Sequence, residues 1–259
     1  LGQGNFTTEY TIPLQALALF LVALAFEKRD KPFPRYFMIG ILGGLAFLTK
    51  QTSIGIWLAI GLFLIIDTVT KKKFKSNFLR FSGLAAGSLL VIALTFVGFN
   101  LLKALPEFWD QAFSFNFAYV SPGETSFFNR LFQAINPAEL GSIALYYLGG
   151  FGAITGIFIY LNRSKQSKLA TLHGLILVGL LDLLFESLLT NLAYDTFEHY
   201  YLTFIPILTF FCGLLLSQLS EFKIWDVKNK KVHQRGFLIL ITLFSIFPLI
   251  NTWKTSLTK

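Results

Sequence analysis

The chain reads as an all-α polytopic membrane protein with about eight transmembrane helices of roughly 20 residues each. Three observations carry this. Apolar residues make up 54% of the chain and charged residues only 14%, with a mean hydropathy of +0.62; a soluble domain has about 25% charged residues. The apolar residues fall into blocks of membrane-spanning length. The basic residues gather at every second connection between those blocks. The 30 Phe suit lipid-facing helices and interfacial belts better than a water-soluble core. The formal charge of +8 sits in short inter-helix loops, so it points to anionic membrane lipids and not to nucleic acid.

The first block, about Thr11–Phe26, is preceded by the polar run Gly4-Asn5-Phe6-Thr7-Thr8-Glu9-Tyr10. Lys31-Pro32-Phe33-Pro34 then interrupts any helix. The second and third blocks, Tyr36–Thr49 and Thr52–Thr68, would make one helix near 50 Å long at about 1.5 Å per residue, too long for a bilayer. Two short crossings hinged at Thr49-Lys50-Gln51 are expected instead. Phe81–Leu102 is the fourth block. A long connection, residues 103–142, follows; its aromatics mixed with acids and amides suit short helices lying in the interface, either covering a site or anchoring the loop. Ile143–Leu161, Leu169–Leu189, Tyr201–Ser220 and Gly236–Trp253 complete the set. Gly40, Gly43, Gly44 and Gly55, and then Gly149, Gly150, Gly152 and Gly156, mark close helix approach. Cys212, the single cysteine, has no intrachain disulfide partner and reads as a small packing residue.

The basic clusters set the sidedness. Lys28, Arg29, Lys31 and Arg35; Lys71, Lys72, Lys73, Lys75 and Arg80; Arg163, Lys165 and Lys168; and Lys223, Lys228, Lys230, Lys231 and Arg235 belong in cytoplasmic loops. The N-terminus, the 103–142 loop and the C-terminus are then expected outside the cytoplasm. A chain starting outside with Leu1 and no signal peptide is expected to be the C-terminal portion of a longer protein, preceded by further spans.

Chemically capable residues collect on that outer side. Asp182 and Glu186 lie four apart on one helix face inside an apolar block. Intramembrane acids mark a polar cavity, a proton relay, or an interhelical hydrogen bond from a protonated acid. Lys50 can snorkel to the interface or hold a lipid-linked phosphate by charge. His199, within Tyr194-Asp195-Thr196-Phe197-Glu198-His199-Tyr200-Tyr201, can shuttle a proton, donate to a phosphate or ligate a metal, although no second His or Cys stands at ligand spacing. Arg130 is the one arginine on that side.

The runs Gly4–Tyr10, Gly43-Gly44-Leu45-Ala46-Phe47-Leu48-Thr49-Lys50-Gln51, and Glu198-His199-Tyr200-Tyr201-Leu202 followed by Pro206 resemble the GT-C class of multi-pass glycosyltransferases. The group is the bacterial one related to protein O-mannosyltransferases and the aminoarabinose transferase of lipid A. The matching pieces occur in the family's order over about Gly2–Phe210. The resemblance implies a sugar transferred with inversion from a polyprenyl-phosphate donor to an acceptor glycan, lipid or protein on the outer face of the membrane. It places the principal base, an Asp or Glu, in a first outer loop that residues 1–259 do not contain, so this portion alone is expected to be inactive. Glu9 is the remaining acidic candidate. Lys50 and Arg130 are candidate phosphate contacts, and His199 with Tyr200 a candidate wall of the donor pocket. Relatives often carry an Arg about four residues before that His; here the position is Asp195. No cofactor is assigned, and a divalent cation is left open.

Two other classes share the hydropathy. A polysaccharide polymerase, ligase or flippase should show several outer arginines, where this chain has Arg130. A secondary transporter should show paired broken helices in two halves, whereas the Lys50 hinge has no counterpart in the sequence.

Overall fold

A computed structural model describes residues 7–27, 32–115, 143–161, 170–191 and 198–221. Every element among them is helical, with no strand. In order they are α1 (Thr7–Glu27), α2 (Pro32–Thr49), α3 (Gly55–Lys71), α4 (Phe74–Leu101) and α5 (Leu105–Trp109). A π-helical turn, Asp110–Ser114, continues α5. Then come α6 (Ile143–Leu161), α7 (Ala170–Thr190), a 3-10 turn (Glu198–Phe204) and α8 (Ile205–Glu221). Six helical stretches among these residues are long and apolar enough to cross a membrane; α3 has 17 residues and is not one of them. The chain is a multi-pass membrane protein of all-α class. The Gly236–Trp253 block and three of the four basic clusters, Arg35 excepted, lie outside the described residues.

The chain divides into two units. The larger comprises residues 5–135 and 163–206, and its packing follows from small residues. Apolar side chains gain little by leaving lipid for one another, so close backbone approach decides which helices pair. On α2, a Cβ at Gly40 would run into the Leu84 carbonyl and Ser88 of α4, and one at Gly44 into Val91 and Ser88. From the other side, Gly83 and Gly87 meet the carbonyls of Phe33 and Phe37. The Ser88 hydroxyl donates to Gly40 O at 2.9 Å across the seam. Gly43 faces the Trp57 indole, whose Nε1 donates to Ile39 O at 2.8 Å and so ties α3 to α2. A core of Ala18, Val22, Ile39, Ala46, Ile60, Phe63 and Val178 fills the space between α1, α2, α3 and α7.

The hinge forms as expected. The α2 helix ends at Thr49, and Ser53 N–H donates to Lys50 O at 3.0 Å before α3 starts at Gly55. The prolines Pro32 and Pro34 fall in the first turn of α2, where a missing N–H costs no helical bond. At the opposite end of α3, Asp67 pairs with Lys71 at 2.5 Å and accepts from Asn77 Nδ2 at 3.0 Å, which joins α3 to α4. The start of the long connection carries a short helix, α5, packed by its aromatics: Phe108 stacks on Phe99 at 4.3 Å and Trp109 lies 4.9 Å from Phe113. Residues 116–142, including the expected amphipathic stretch Ser126–Ile135, lie outside the described part.

The smaller unit comprises residues 1–4, 136–162 and 207–259. Within it Gly149 and Gly152 of α6 take the Leu208 side chain and the Phe211 backbone of α8. Gly150 has nothing near the Cβ it lacks, so only part of the expected glycine face is a packing face. The Cys212 thiol points at Leu145 O at 3.8 Å, in keeping with a packing role.

Candidate functional site

The buried face of α1 is Thr8, Thr11, Gln15, Ala18, Val22 and Ala25, spaced three and four apart. Its first half is polar and its second half apolar. Pro13 lies within the helix, so the fourth carbonyl back, on Glu9, lacks its helical donor. The Thr11 hydroxyl donates to Thr8 O at 2.8 Å within this first turn. The polar half of α1 points at the hinge and at the C-terminal half of α7.

Gln15 is the knot. Its Nε2 donates to Glu186 Oε1 at 2.9 Å and approaches Ser53 O at 3.4 Å, so one amide bridges α1, the hinge and α7. Glu186 is 0% exposed. The Gly55 N–H and the Thr203 hydroxyl stand beside the same carboxylate, and a Cβ on Gly55 would collide with it. Asp182, one turn earlier on α7, is also buried. Several buried oxygens in this region, Gln15 Oε1, Ser53 Oγ, Asp182 Oδ1 and Glu186 Oε2, have no protein hydrogen-bond partner among the described residues. Such atoms are costly unless water or a ligand reaches them.

Lys50 lies above this knot. Its Nζ donates to Thr8 Oγ1 at 2.6 Å and sits 3.8 Å from the centroid of the Tyr200 ring. The contact is a cation–π arrangement. Burial pushes the Lys50 amine down to about 8, against the attraction of Glu186, which acts in the opposite sense. His199 packs edge-on to Tyr200 at 4.6 Å and lies within electrostatic reach of Lys50 and Glu9. Gln51, next to Lys50, donates through Nε2 to Ala112 O at 2.8 Å and ties the hinge to the π turn.

The structure thus brings Lys50, Tyr200, His199 and Glu186 to one end of the larger unit. Glu9 stands on the exposed side of the α1 first turn, beside Thr8. Asp182 lies a turn deeper than Glu186, and Arg130 falls outside the described residues, as does Asp195. Gln15, Ser53 and Thr203 were not singled out from sequence, and Thr8 entered only as part of the Gly4–Tyr10 run. Their signal was present in part: Thr8, Thr11 and Gln15 form a polar stripe at helical spacing on an otherwise apolar span. Among the described residues no group of three or more His, Cys, Asp or Glu converges as a metal site. An open groove of about 660 Å³ lies on the α4–α5 corner, lined by Phe96, Leu105, Pro106, Glu107, Trp109 and Asp110, and includes none of the knot residues.

A lysine held over an aromatic ring beside buried polar groups is an arrangement able to hold an anion. Residues 2–97 match the model of the family described as dolichyl-phosphate-mannose-protein mannosyltransferase, a family of the GT-C class. The resemblance read from the sequence is borne out over those residues, and it supports a membrane glycosyltransferase of the mannosyltransferase type. Among curated proteins and among solved structures, none matches.

Proposed function

We propose that the hinge end of the larger unit receives the phosphate of a polyprenyl-phosphate-linked hexose, mannose being the sugar that the family description names, on the outer face of the membrane. An acceptor hydroxyl, on a protein or glycan, attacks the anomeric carbon with inversion. The new glycosidic C–O bond forms as the C–O bond to the lipid phosphate breaks, and the acceptor proton passes to a carboxylate, for which Glu9 is the candidate within these residues. Negative charge grows on the departing phosphate, so a fixed cation there lowers the barrier. Lys50 supplies it, with His199 beside it as a second donor and the Tyr200 ring as one wall. Arg130 is proposed as a further phosphate contact from the long connection.

The observation that carries this reading is the placement of Lys50. A lysine at the end of an apolar helix would normally extend its ammonium to water. Here the amine turns onto Thr8 and over Tyr200, within the segments that carry the family resemblance. The experiment is sugar transfer by the reconstituted full-length protein from polyprenyl-phosphate-mannose to an acceptor extract. Wild-type transfer that is lost in Lys50→Ala and His199→Ala, with membrane insertion intact, supports the assignment. Wild-type rates in both variants would dismiss it.

A further inference from the structure

We propose that the end of α3 remote from the hinge, where the chain passes into α4, binds the phosphate of an anionic phospholipid through Arg80 and Tyr36. This site is separate from the Lys50 end and does not depend on what that end receives. Two buried donors here have nothing to donate to. Tyr36 of α2 is 1% exposed, and its hydroxyl has no hydrogen-bond partner among the described residues. Arg80 of α4 lies over it, the guanidinium carbon 5.8 Å from the centroid of the Tyr36 ring, and the Arg80 Nε is likewise buried and unpartnered. An O–H and an N–H left unpaired away from water are costly. Both call for an acceptor, and a phosphate oxygen is one that also offsets the guanidinium charge.

The carboxylate of this corner is already committed elsewhere. Asp67 pairs with Lys71 at 2.5 Å and accepts from Asn77 Nδ2 at 3.0 Å, while Asn77 Oδ1 accepts from Arg80 Nη1 at 3.2 Å. The amide thus aims the guanidinium, and among the described residues Arg80 has no carboxylate at ion-pair distance. Further positive charge surrounds it. Lys72, Lys73 and Lys75 are all exposed. Lys72 holds a left-handed φ of 53°, a conformation that glycine adopts with less strain, so a charged side chain is kept where the turn alone would favour none. Lys73, at the N-cap of α4, makes no side-chain cap, and the first turn of α4 contains no acid. Its leading N–H groups and the positive end of its dipole are therefore open to an anion.

The flank of the corner selects a lipid over a free phosphate. Phe74 and Phe78 of α4 and Phe33 of α2 are exposed beside these cations. A cation cluster that borders an apolar, outward-facing surface matches a head group with its acyl chains, as in basic pockets between membrane helices. On the sidedness expected from the basic clusters, this end meets the cytoplasmic leaflet, the one rich in anionic lipid.

The test uses the full-length protein, delipidated in detergent and titrated with phosphatidylglycerol, phosphatidylcholine or inorganic phosphate. Bound lipid is counted by native mass spectrometry, and unfolding is followed on heating. Wild type should prefer phosphatidylglycerol and ignore inorganic phosphate. Tyr36→Phe should bind phosphatidylglycerol about threefold more weakly and Arg80→Gln about tenfold, the loss of a neutral and of a charged donor respectively. Lys165→Gln, which removes one charge from a different basic connection, should bind as wild type does.

Melting separates a ligand-binding hydroxyl from a structural one. Without phospholipid, Tyr36→Phe loses only an unpaired donor and should melt at or above the wild-type temperature. With saturating phosphatidylglycerol it should melt below wild type, which gains more from the ligand. Unchanged lipid affinity in both Tyr36→Phe and Arg80→Gln, or an equal loss in Lys165→Gln, overturns the proposal. So does a Tyr36→Phe protein that melts below wild type before lipid is added, or a wild type stabilised as much by inorganic phosphate as by phosphatidylglycerol. If Arg80→Gln fails to fold, Tyr36→Phe decides alone on both readouts.

Discussion

The Lys50 ammonium stands 3.8 Å from the centroid of the Tyr200 ring, although 149 residues of mostly apolar chain lie between the two. The hinge after α2 brings one to the site and the 3-10 turn before α8 brings the other. Their meeting gives the site its cation and its aromatic wall at once.

Removal of that cation should be the most damaging single change. Lys50→Ala is expected to lower the transfer rate about 10²-fold, comparable to the loss of one preorganised donor at a developing anion. Lys50→Arg should retain more activity than Lys50→Ala, because the charge survives even though its geometry changes. Initial rates with saturating donor separate the two.

Tyr200 should act through its ring face and not its hydroxyl. Tyr200→Phe keeps the cation–π surface and should bind donor within about twofold of wild type, whereas Tyr200→Leu should weaken binding about fivefold, the equivalent of about 1 kcal/mol. Equal losses in both variants would assign the effect to the hydroxyl.

The Lys50 amine also sets a pH signature. Its value in the folded protein, about 8, lies below the ordinary lysine value of 10.5. The charged form is therefore disfavoured by folding. Its destabilising contribution is fully present below pH 8 and fades as pH rises towards 10.5. Function runs in the opposite direction, because phosphate needs the ammonium. Donor binding should decline as pH rises through about 8, and binding below that point should be nearly pH-independent. Lys50→Met, freed of the penalty, should melt at a higher temperature at pH 7 while binding donor poorly. Thermal unfolding in detergent checks the first and a binding isotherm the second.

The hinge and spans were legible because they depend on one-dimensional properties. Block length, the basic clusters and the impossibility of one 33-residue crossing require no partner information. Lys50, His199 and Tyr200 were legible for a related reason: charged and imidazole groups at the edges of apolar blocks are few. Gln15 and Ser53 were not. An amide or a hydroxyl within a span is ordinary, and its importance depends on which neighbour's face it meets. Gly83 and Gly87 stand four apart, a spacing that signals close helix approach, but that they meet the Phe33 and Phe37 carbonyls of α2 could not be read from α4 alone.

Glycine substitutions should separate packing from bystander positions. Gly87→Ala places a methyl against the Phe37 carbonyl and should destabilise by about 1–3 kcal/mol, the usual cost of overpacking. Gly55→Ala should also impair transfer, since its methyl displaces Glu186. Gly61→Ala, with nothing within 4 Å, should be neutral or stabilising by up to about 1 kcal/mol. Chemical unfolding of the three variants gives the ranking.

Sidedness has its own readout. With Cys212 replaced, a cysteine at Asp110 should react with an impermeant maleimide on intact cells, and one at Lys73 should react only after permeabilisation. The reverse pattern would invert the proposed orientation of the site.

The seam between α2 and α4 leaves unequal room for sequence drift. Where two main chains touch, no choice of side chain can tune the spacing, so the inner edge of α4 at Gly83 and Gly87 admits almost no alternative. The outer flank, with Phe74, Phe78, Phe81 and Leu89 open to the surroundings, can exchange one oily residue for another with little effect. A mutational scan of α4 should therefore split into an intolerant ridge and a permissive one, and the intolerant ridge would mark the strut on which the hinge is mounted.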